Sequence, residues 1–387
     1  MFGIGPLDAN GYLLSRVMPY FDLHGGSNFR LFTEFKFNYV ASRDGGPRPN
    51  VDEDKGDVHQ AFVEVGPRVS DPQGWSLRAG RQEVVLGSGR LLDNNEGPNV
   101  KISFDGIRTQ GHLGAVGIDL FLIKPVEQNV GFFDDAPMHQ QTLWGTYFTV
   151  PTRLGKGGSA DLYYMGNAYK VVAFSKLPPA RETRHTFGVR AFRPFGKHFD
   201  YNWEADYQVG TFGDKNIRSW AVSTETGYTF DPNRFRLRPL LRVDTFSGDR
   251  SPDGHTLGTF NPLFPRGAYF TPKATPPVGP QNLVDLHPMV QFLLRRNLTG
   301  QLSWNWYWRE SVADGLYAFG SGMVLYSATS SSRRYLGDQG DLELRWAPVN
   351  HTIISLSFLG FQTGSFFAAQ PKKASPVAAN LGFTFRF

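Results

Sequence analysis

The chain of 387 residues has no cysteine, no long apolar run and only a small excess of positive charge. Zero cysteine suits a chain that passes through an oxidising compartment. No stretch approaches the roughly 18 to 20 apolar residues that a membrane-spanning helix needs, so a helical membrane protein is excluded. The formal net charge of +5 is too small to argue for nucleic acid, and no basic run accompanies it.

Motifs for metal binding and catalysis are also missing. The nine histidines show no H-E-x-x-H or other paired spacing for zinc, and His59, His185 and His287 sit singly in predicted strands as wall residues. There is no G-x-S-x-G elbow, and the segment Gly87 to Arg90 lacks the lysine and helix of a phosphate loop. The acidic run Val51 to Asp57 lacks the spacing of a calcium loop and is predicted to be a solvated surface loop. The sequence predicts no cofactor and no metal.

Apolar and aromatic residues, by contrast, recur at every second position of many segments. In the last twelve residues the apolar set, which ends on a terminal phenylalanine, is Val377, Ala379, Leu381, Phe383, Phe385 and Phe387. A period of two puts this set on one side of a strand and the polar set, including Arg386, on the other. The ending resembles the final strand of a bacterial outer-membrane β-barrel, with lipid outside and water inside.

The same alternation returns along the whole chain, for example at Phe29 to Tyr39, Tyr201 to Val209 and Leu302 to Arg309. A soluble β-sandwich would also alternate, but it would bury its aromatic face in one thin core. The number of Trp, Tyr and Phe residues is too high for such a core. We therefore predict an all-β fold, a transmembrane antiparallel up-and-down barrel whose aromatic faces meet lipid, with residues 1–387 forming a single domain.

Connections between the predicted strands alternate in length. Short turns such as His24 to Asn28 and Leu113 to Ala115 alternate with long loops such as Gly87 to Asn99 and Ser247 to Asn282. Short periplasmic turns and long extracellular loops are typical of outer-membrane barrels. About seventeen strands are visible, whereas bacterial single-chain barrels have an even number. We expect eighteen in the parent barrel, with a first strand removed with the N-terminus or hidden in a loop.

Residues 80 to 106, G-R-Q-E-V-V-L-G-S-G-R-L-L-D-N-N-E-G-P-N-V-K-I-S-F-D-G, resemble the signature stretch of the alginate export family. The stretch Gly258 to Phe270 resembles a loop segment common in that family. The resemblance implies a monomeric eighteen-stranded barrel in the bacterial outer membrane, with an arginine-lined constriction that passes an anionic polysaccharide. The start of the chain lacks a signal peptide, which we expect to have been removed. Expected partners are outer-membrane lipid and lipopolysaccharide, the anionic solute and periplasmic export components.

Such a channel needs arginine, because a narrow pore imposes a desolvation cost on each carboxylate unless fixed cations offset it. Arginine keeps its charge and can meet a carboxylate with two parallel hydrogen bonds. The cationic candidates for the lumen are Lys36, Arg78, Arg81, Arg190, Arg236, Arg238, Arg242, Arg295, Arg309, Arg345 and Arg386. Acidic residues share the same faces, so each arginine either braces the wall or contacts solute. Arg238, Arg242 and Arg309 are the preferred contacts, because acids are fewer near them in sequence.

The constriction candidates are loop residues, Arg90, Asp93, Asn94, Asn95 and Glu96, together with the loop Ser247 to Asn282. Both loops either fold inward or remain outside as surface loops. The predicted function is a passive outer-membrane channel for anionic polysaccharide or uronate-like solutes, without catalysis. The alternatives are a porin for other small molecules, a non-transporting adhesin or structural barrel, and, third, an enzymatic barrel.

Overall fold

The computed structural model describes residues 10–48, 50–152, 158–230, 236–270, 278–320, 322–370 and 375–387. The first half of this region contains eleven strands, β1 Leu13–Val17, β2 Tyr20–His24, β3 Phe29–Ala41, β4 Asp54–Val65, β5 Ser76–Gln82, β6 Phe104–Leu113, β7 Val116–Glu127, β8 Ala136–Pro137, β9 Gln141–Thr152, β10 Gly158–Val172 and β11 Ala180–Phe195.

The second half adds β12 Phe199–Phe212, β13 Lys215–Tyr228, β14 Arg238–Phe246, β15 Thr256–Leu257, β16 Leu283–Arg295, β17 Leu298–Arg309, β18 Leu316–Tyr317, β19 Val324–Tyr326, β20 Tyr335–Trp346, β21 Thr352–Thr363 and β22 Val377–Phe385. Helical structure in the described residues consists of α1 Gly267–Phe270 and three 3-10 turns, Pro67–Val69, Ala328–Ser330 and Phe367–Ala369. None of the helices in the described ranges is long or apolar enough to cross a membrane.

The long strands pair in series, each antiparallel to the next, from β3 to β22. Strands β1 and β2 both pair with β3 and act as two pieces of one interrupted strand. The short strands β8, β15, β18 and β19 belong to the long loops. The described residues thus form seventeen wall strands, as the alternation predicts, and the all-β up-and-down fold is confirmed. The hydroxyl of Tyr20 donates to the carbonyl oxygen of Phe387 at 3.2 Å, so the first and last wall strands approach each other at the short-turn end.

The two faces of the wall have opposite chemistry. On β12 the side chains of Trp203 and Tyr207 are about half exposed, at 48% each, whereas Glu204 and Asp206 between them are 5% and 8% exposed. A water-soluble sheet would bury the aromatic residues and expose the acids. The reverse arrangement fits a wall with lipid outside and a packed polar lumen inside. The observed exposure agrees with the prediction that the aromatic faces of the strands point outward.

Loop lengths differ between the two ends of the wall. At one end, β6 and β7 are joined by two residues, and so are β16 and β17. At the other end, long connections follow β5, β14 and β17. One connection at the long-loop end is short, since only Gly213 and Asp214 join β12 to β13, and Gly213 has the positive φ of 56° that such a tight hairpin needs. The predicted alternation of short turns and long loops is present with this one exception.

Leu302 lies in the middle of β17 and is 54% exposed on the outer face. A charge placed here would face hydrocarbon, so Leu302→Arg should reduce folding stability in lipid by about 2 to 4 kcal/mol. Urea unfolding in lipid vesicles measures the change. Leu302→Phe, which keeps the position apolar, is the matched control. Equal stability of the two variants would contradict the outward placement of this side chain.

Candidate solute pathway

Two long loops pack against the inner face of the barrel wall. The first inner loop is residues 83–103 and the second is residues 247–282, of which 271–277 lie outside the described residues. Their backbones bond to each other, because the amide of Phe264 donates to Leu91 O and the amide of Asp93 donates to Phe264 O, both at 2.9 Å. Apolar side chains of both loops form one buried cluster with the inner face of the wall, including Leu91, Leu92, Phe260, Leu263, Phe270, Phe104, Tyr147 and Tyr307. The two loops are therefore packed against each other and against the inner face of the wall.

Arg90 fastens the first inner loop to the wall. It is 3% exposed and donates from Nη1 to Glu204 Oε2 of β12 at 2.6 Å. Ser88 of the same loop donates to the same oxygen at 2.6 Å. Because Glu204 lies on the inner face of β12, these contacts place the tip of the loop inside the barrel.

Tyr269 of the second inner loop is held between two guanidinium groups. Arg90 lies 4.5 Å from its ring centroid, and Arg242 of β14 lies 3.9 Å from it. Arg90 also donates to the Tyr269 hydroxyl at 2.8 Å, and Arg242 donates to the Tyr269 carbonyl oxygen at 2.9 Å. The hydroxyl in turn donates to Asp244 Oδ1 at 3.0 Å. We call Arg90, Tyr269 and Arg242 the tyrosine clamp, and it joins both inner loops to the wall.

The other loop candidates have separate positions. Asp93 is buried and pairs with Arg266 of the second inner loop at 2.7 Å, and Asn95 Oδ1 accepts a hydrogen bond from the amide of Gly267 at 3.3 Å. Asn94 donates to Glu83 at 2.6 Å. Glu96 is exposed and pairs with Arg16 of β1 at 2.5 Å. Arg90, Asp93 and Asn95 thus lie between the inner loops, whereas Glu96 lies where the first loop meets β1.

A chain of ion pairs ties the base of the first inner loop to the wall. Lys101 pairs with Glu96 at 3.0 Å and also with Glu83, and His59 of β4 lies 2.8 Å from Glu83. Burial alone would raise the pKa of Glu83, but the hydrogen bond with His59 and the charge of Lys101 outweigh it and lower the pKa to about 2. The loop therefore depends on a carboxylate that stays ionised at neutral pH.

The lumen arginines are paired with acids from neighbouring strands. Arg190 donates to Asp161 at 2.8 Å, and Arg78 donates to Glu64 at 2.7 Å. These acids are far from the arginines in sequence, so the sequence alone did not identify the pairs. Arg238 and Arg242 have few acids near them in the chain, yet β13 brings Glu225 to both, at 3.3 and 2.9 Å, and Arg238 also pairs with Asp200.

The remaining candidate arginines lie toward the ends of the wall. Arg309 is fully buried and donates to backbone carbonyl oxygens of the loop after β17, among them Asp314 at 3.1 Å and Ser331 at 2.6 Å, so it braces that loop. Arg81 on β5 is only 12% exposed, pairs with Asp105 of β6 at 2.9 Å and lies 3.6 Å from the buried carboxylate of Asp57. Four further candidates are exposed and lie near the short-turn end of the wall: Arg236, Arg295, Arg345 and Arg386.

Three arginines form a row across neighbouring strands, and only Arg78 among them was a candidate from the sequence. Register places Arg30 of β3 opposite Glu64, Glu64 opposite Arg78, and Arg78 directly opposite Arg108 of β6. The resident acids are Asp22, 2.7 Å from Arg30, Glu64, and Asp119, 2.9 Å from Arg108. We call Arg30, Arg78 and Arg108 the guanidinium row. Like charges placed opposite each other weaken a sheet, and Glu64 and Asp119 offset that repulsion here.

The acidic run Val51 to Asp57 is not a solvated loop, so that prediction was wrong. Asp52 and Asp54 are 0% exposed and Asp57 is 3% exposed. Lys36, which is 1% exposed, pairs with Asp54 at 2.5 Å and with Asp135 of the loop after β7 at 2.7 Å. The run enters the wall and supplies Asp54, one of the two partners of a buried lysine that sequence alternation on β3 had assigned to the lumen.

The antiparallel wall, the lipid-facing outer surface and the lumen narrowed by loops define a bacterial outer-membrane β-barrel channel. The family model of alginate export matches residues 1–379, and the chain belongs to that family. The fold is similar to that of Pseudomonas aeruginosa OccD3 (OpdP), with a TM-score of 0.61 at 10% identity, covering 96% of this chain and 86% of that one. It is also similar to Pseudomonas aeruginosa OpdK, solved with vanillate, with a TM-score of 0.61 at 12% identity, covering 97% and 95%.

Acinetobacter baumannii OccAB1 gives a TM-score of 0.58 at 9% identity, covering 97% of this chain and 92% of that one. No curated protein sequence matches the chain. At these identities the structural neighbours confirm the barrel fold, while the family membership rests on the match over nearly the whole chain.

Removal of the ring of Tyr269 should loosen the tyrosine clamp and widen the passage. We expect Tyr269→Ala to raise single-channel conductance in planar bilayers, because both inner loops lose a shared anchor. Tyr207→Ala, which removes a tyrosine of the outer face, is the control and should leave conductance unchanged. Identical conductance of Tyr269→Ala and the unaltered channel would argue that the clamp lies off the conducting path.

Glu83→Gln should free the base of the first inner loop at neutral pH. A hydrogen bond to a charged group contributes about 1.5 to 3 kcal/mol, so hydrogen exchange of residues 83–103 should accelerate by about tenfold or more. Because the pKa of Glu83 in the folded protein lies below the ordinary glutamate value of 4.5, its stabilisation is fully present above pH 4.5 and is lost as the pH falls toward 2. Acidified unaltered protein should therefore approach the variant. Glu127→Gln, at an exposed carboxylate of the same end, is the control, and equal exchange in both variants would contradict the ion-pair chain.

Proposed function

We propose that the channel passes anionic, carboxylate-bearing solutes of the uronate class by passive diffusion and performs no catalysis. The guanidinium row carries this proposal. It places three arginines on four consecutive strands at the same inner face, with side chains that are 25%, 17% and 9% exposed for Arg30, Arg78 and Arg108. Arg30 and Arg78 are partly exposed and lie within reach of water and of a passing carboxylate, whereas Arg108 is buried behind them beside Asp119.

The resident acids make the row suitable for transport rather than for tight binding. A guanidinium has five N–H donors, and a bidentate carboxylate uses two of them. A solute carboxylate can therefore exchange with Asp22, Glu64 or Asp119 without leaving an arginine unpaired. Since conduction requires sites that are favourable enough to enter and weak enough to leave, partial neutralisation by fixed acids supports passage.

The exposed arginines at the short-turn end add to this picture. Arg295 ends β16, Arg345 lies on β20 and Arg386 follows β22, so they gather along one arc of the rim. A cluster of cationic side chains at a channel mouth raises the local concentration of anions. We infer that this rim collects anionic solutes on the periplasmic side, where a periplasmic export component would deliver them.

The inner loops favour a second candidate, a channel for short anionic solutes instead of a polymer. The buried cluster of Leu91, Leu92, Phe260, Leu263 and Phe270 lies against the inner face of the wall, and the tyrosine clamp holds both inner loops beside β12 and β14. A chain of linked sugars needs a continuous passage, whereas a single uronate can move around such an obstruction. The two candidates share the guanidinium row and differ in the length of the solute.

Single-channel recording in planar bilayers, with galacturonate or oligogalacturonate added on one side, tests the proposal. We expect anion preference and block by the oligomer, and Arg78→Ala and Arg108→Ala should each weaken the block by about tenfold, since a charge-assisted contact contributes about 1.5 to 3 kcal/mol. Lys176→Ala, which removes an exposed loop charge, should leave the block unchanged. Permeation of the monomer without block by the oligomer would select the second candidate. A channel without anion preference would indicate a general porin, and a closed barrel would indicate an adhesin or structural role.

A further inference from the structure

The outer face of β11 changes in character toward the long-loop end of the wall. Val189 and Phe187 are 47% and 52% exposed and belong to the lipid-facing band. The next outward position toward the loop is His185, and Arg181 is the outward residue nearest the loop. Apolar side chains thus give way to a polar and then to a cationic side chain as the strand leaves the hydrocarbon region.

The neighbouring strands β10 and β13 also carry outward cations at this end. On β13, Arg218 lies one outward position beyond Trp220, toward the loop. On β10, Lys170 follows Tyr169, whose partner on β11 is Glu182, so Lys170 and Arg181 occupy adjacent outward positions. We call Lys170, Arg181 and Arg218 the outer cationic arc.

Aromatic side chains mark the level at which the lipid-facing band ends. Trp144 Nε1 donates to the hydroxyl of Tyr164 at 3.2 Å, and this hydroxyl lies 2.8 Å from His185 Nδ1. The rings of Tyr164 and His185 are stacked, with centroids 5.9 Å apart. Amphipathic rings of this kind occupy the boundary between hydrocarbon and headgroups. Lys170 and Arg181 lie beyond these rings along their strands, on the headgroup side of the boundary.

The charges of the outer cationic arc are not offset by acids. All three side chains are exposed, and within the described ranges none of them takes part in an ion pair or a side-chain hydrogen bond. Between the two arginines lies a row of uncharged polar residues directly opposite one another, Thr183, Thr211 and Asn216. The arc therefore differs from the lumen, where most arginines are paired with acids, and its like charges call for an anionic partner from outside the chain.

The outer face of β17 and β20 has a different composition at the same end. Trp306 and Trp308 are outward residues of β17, and register places Asp338 of β20 opposite Trp306. The hydroxyl of Tyr335 donates to the carboxylate of Asp338 at 2.5 Å. The surface there is aromatic and acidic, so the outer cationic arc is not repeated on these strands.

We propose that the outer cationic arc binds the phosphate groups of a phosphorylated glycolipid of the outer leaflet, that is, of lipopolysaccharide. The long-loop end of an outer-membrane barrel faces the outside of the cell, where this leaflet lies. A guanidinium can meet phosphate oxygens with two parallel hydrogen bonds, and a lysine adds a compact positive charge. The acyl chains then pack on the apolar band below, which includes Phe187 and Val189. Because the outer face does not line the lumen, this site and the proposed transport function fail or succeed independently.

Native mass spectrometry of the full chain in detergent, with bisphosphorylated lipid A added, tests the site. We expect the chain to retain lipid A, and Lys170→Gln, Arg181→Gln and Arg218→Gln should each weaken its binding by about fivefold, the factor that corresponds to about 1 kcal/mol for one cation near an anionic lipid surface. Arg193→Gln is the matched control, because Arg193 is an outward arginine of the same strand β11 at its short-turn end. This control should bind lipid A as the unaltered chain does.

Dephosphorylated lipid A and phosphatidylglycerol are compared in the same experiment, and both should bind more weakly than bisphosphorylated lipid A. Equal binding of the dephosphorylated form, or unchanged binding in the variant that combines all three substitutions of the arc, would overturn the proposal. Equal binding of phosphatidylglycerol would overturn the assignment to a glycolipid. Heat-modified gel mobility checks that each variant forms the barrel.

Discussion

The need to satisfy polar groups inside a wall that faces lipid governs this structure. The bilayer offers no hydrogen-bond partner, so the backbone pairs strand to strand, and the charged side chains of the inner face must find partners across neighbouring strands. Most lumen arginines have done so, as Arg190 with Asp161 and Arg78 with Glu64 show. The lumen is consequently a paired network of both signs, and its average charge says little about which solutes it accepts.

Pairing also explains how one set of residues can brace the barrel and still contact solute. An arginine with a fixed acid beside it is held in place, yet retains donors for a second carboxylate. In the guanidinium row, Arg78 and Arg108 lie directly opposite each other and depend on Glu64 and Asp119 for compensation. Under the proposed function, a solute carboxylate would replace the resident acid at an arginine that otherwise braces the wall.

The inner loops use a different interaction to narrow the channel. Their apolar side chains pack against the inner wall, and the tyrosine clamp adds two cation–π contacts at 4.5 and 3.9 Å around Tyr269. Because Arg90 comes from the first loop and Arg242 from β14, the clamp couples both loops to the wall strand that also carries Asp244. The hydroxyl of Tyr269 also donates to Asp244, which adds a third contact between the second inner loop and β14.

The sequence by itself determined the class of fold, because a period of two is local and needs no knowledge of neighbours. It assigned Trp203 and Tyr207 to the outside and Glu204 and Asp206 to the inside, and it separated short turns from long loops. Only the tertiary structure decided the partners, since strand register brings together residues far apart in the chain. It set Glu225 beside Arg242, placed Arg108 opposite Arg78, paired Arg81 with Asp105, and buried Asp52 and Asp54 in a run that looked solvated. Loop direction was likewise beyond the sequence, because the anchor of Arg90 at Glu204 exists only once β12 stands opposite the first inner loop.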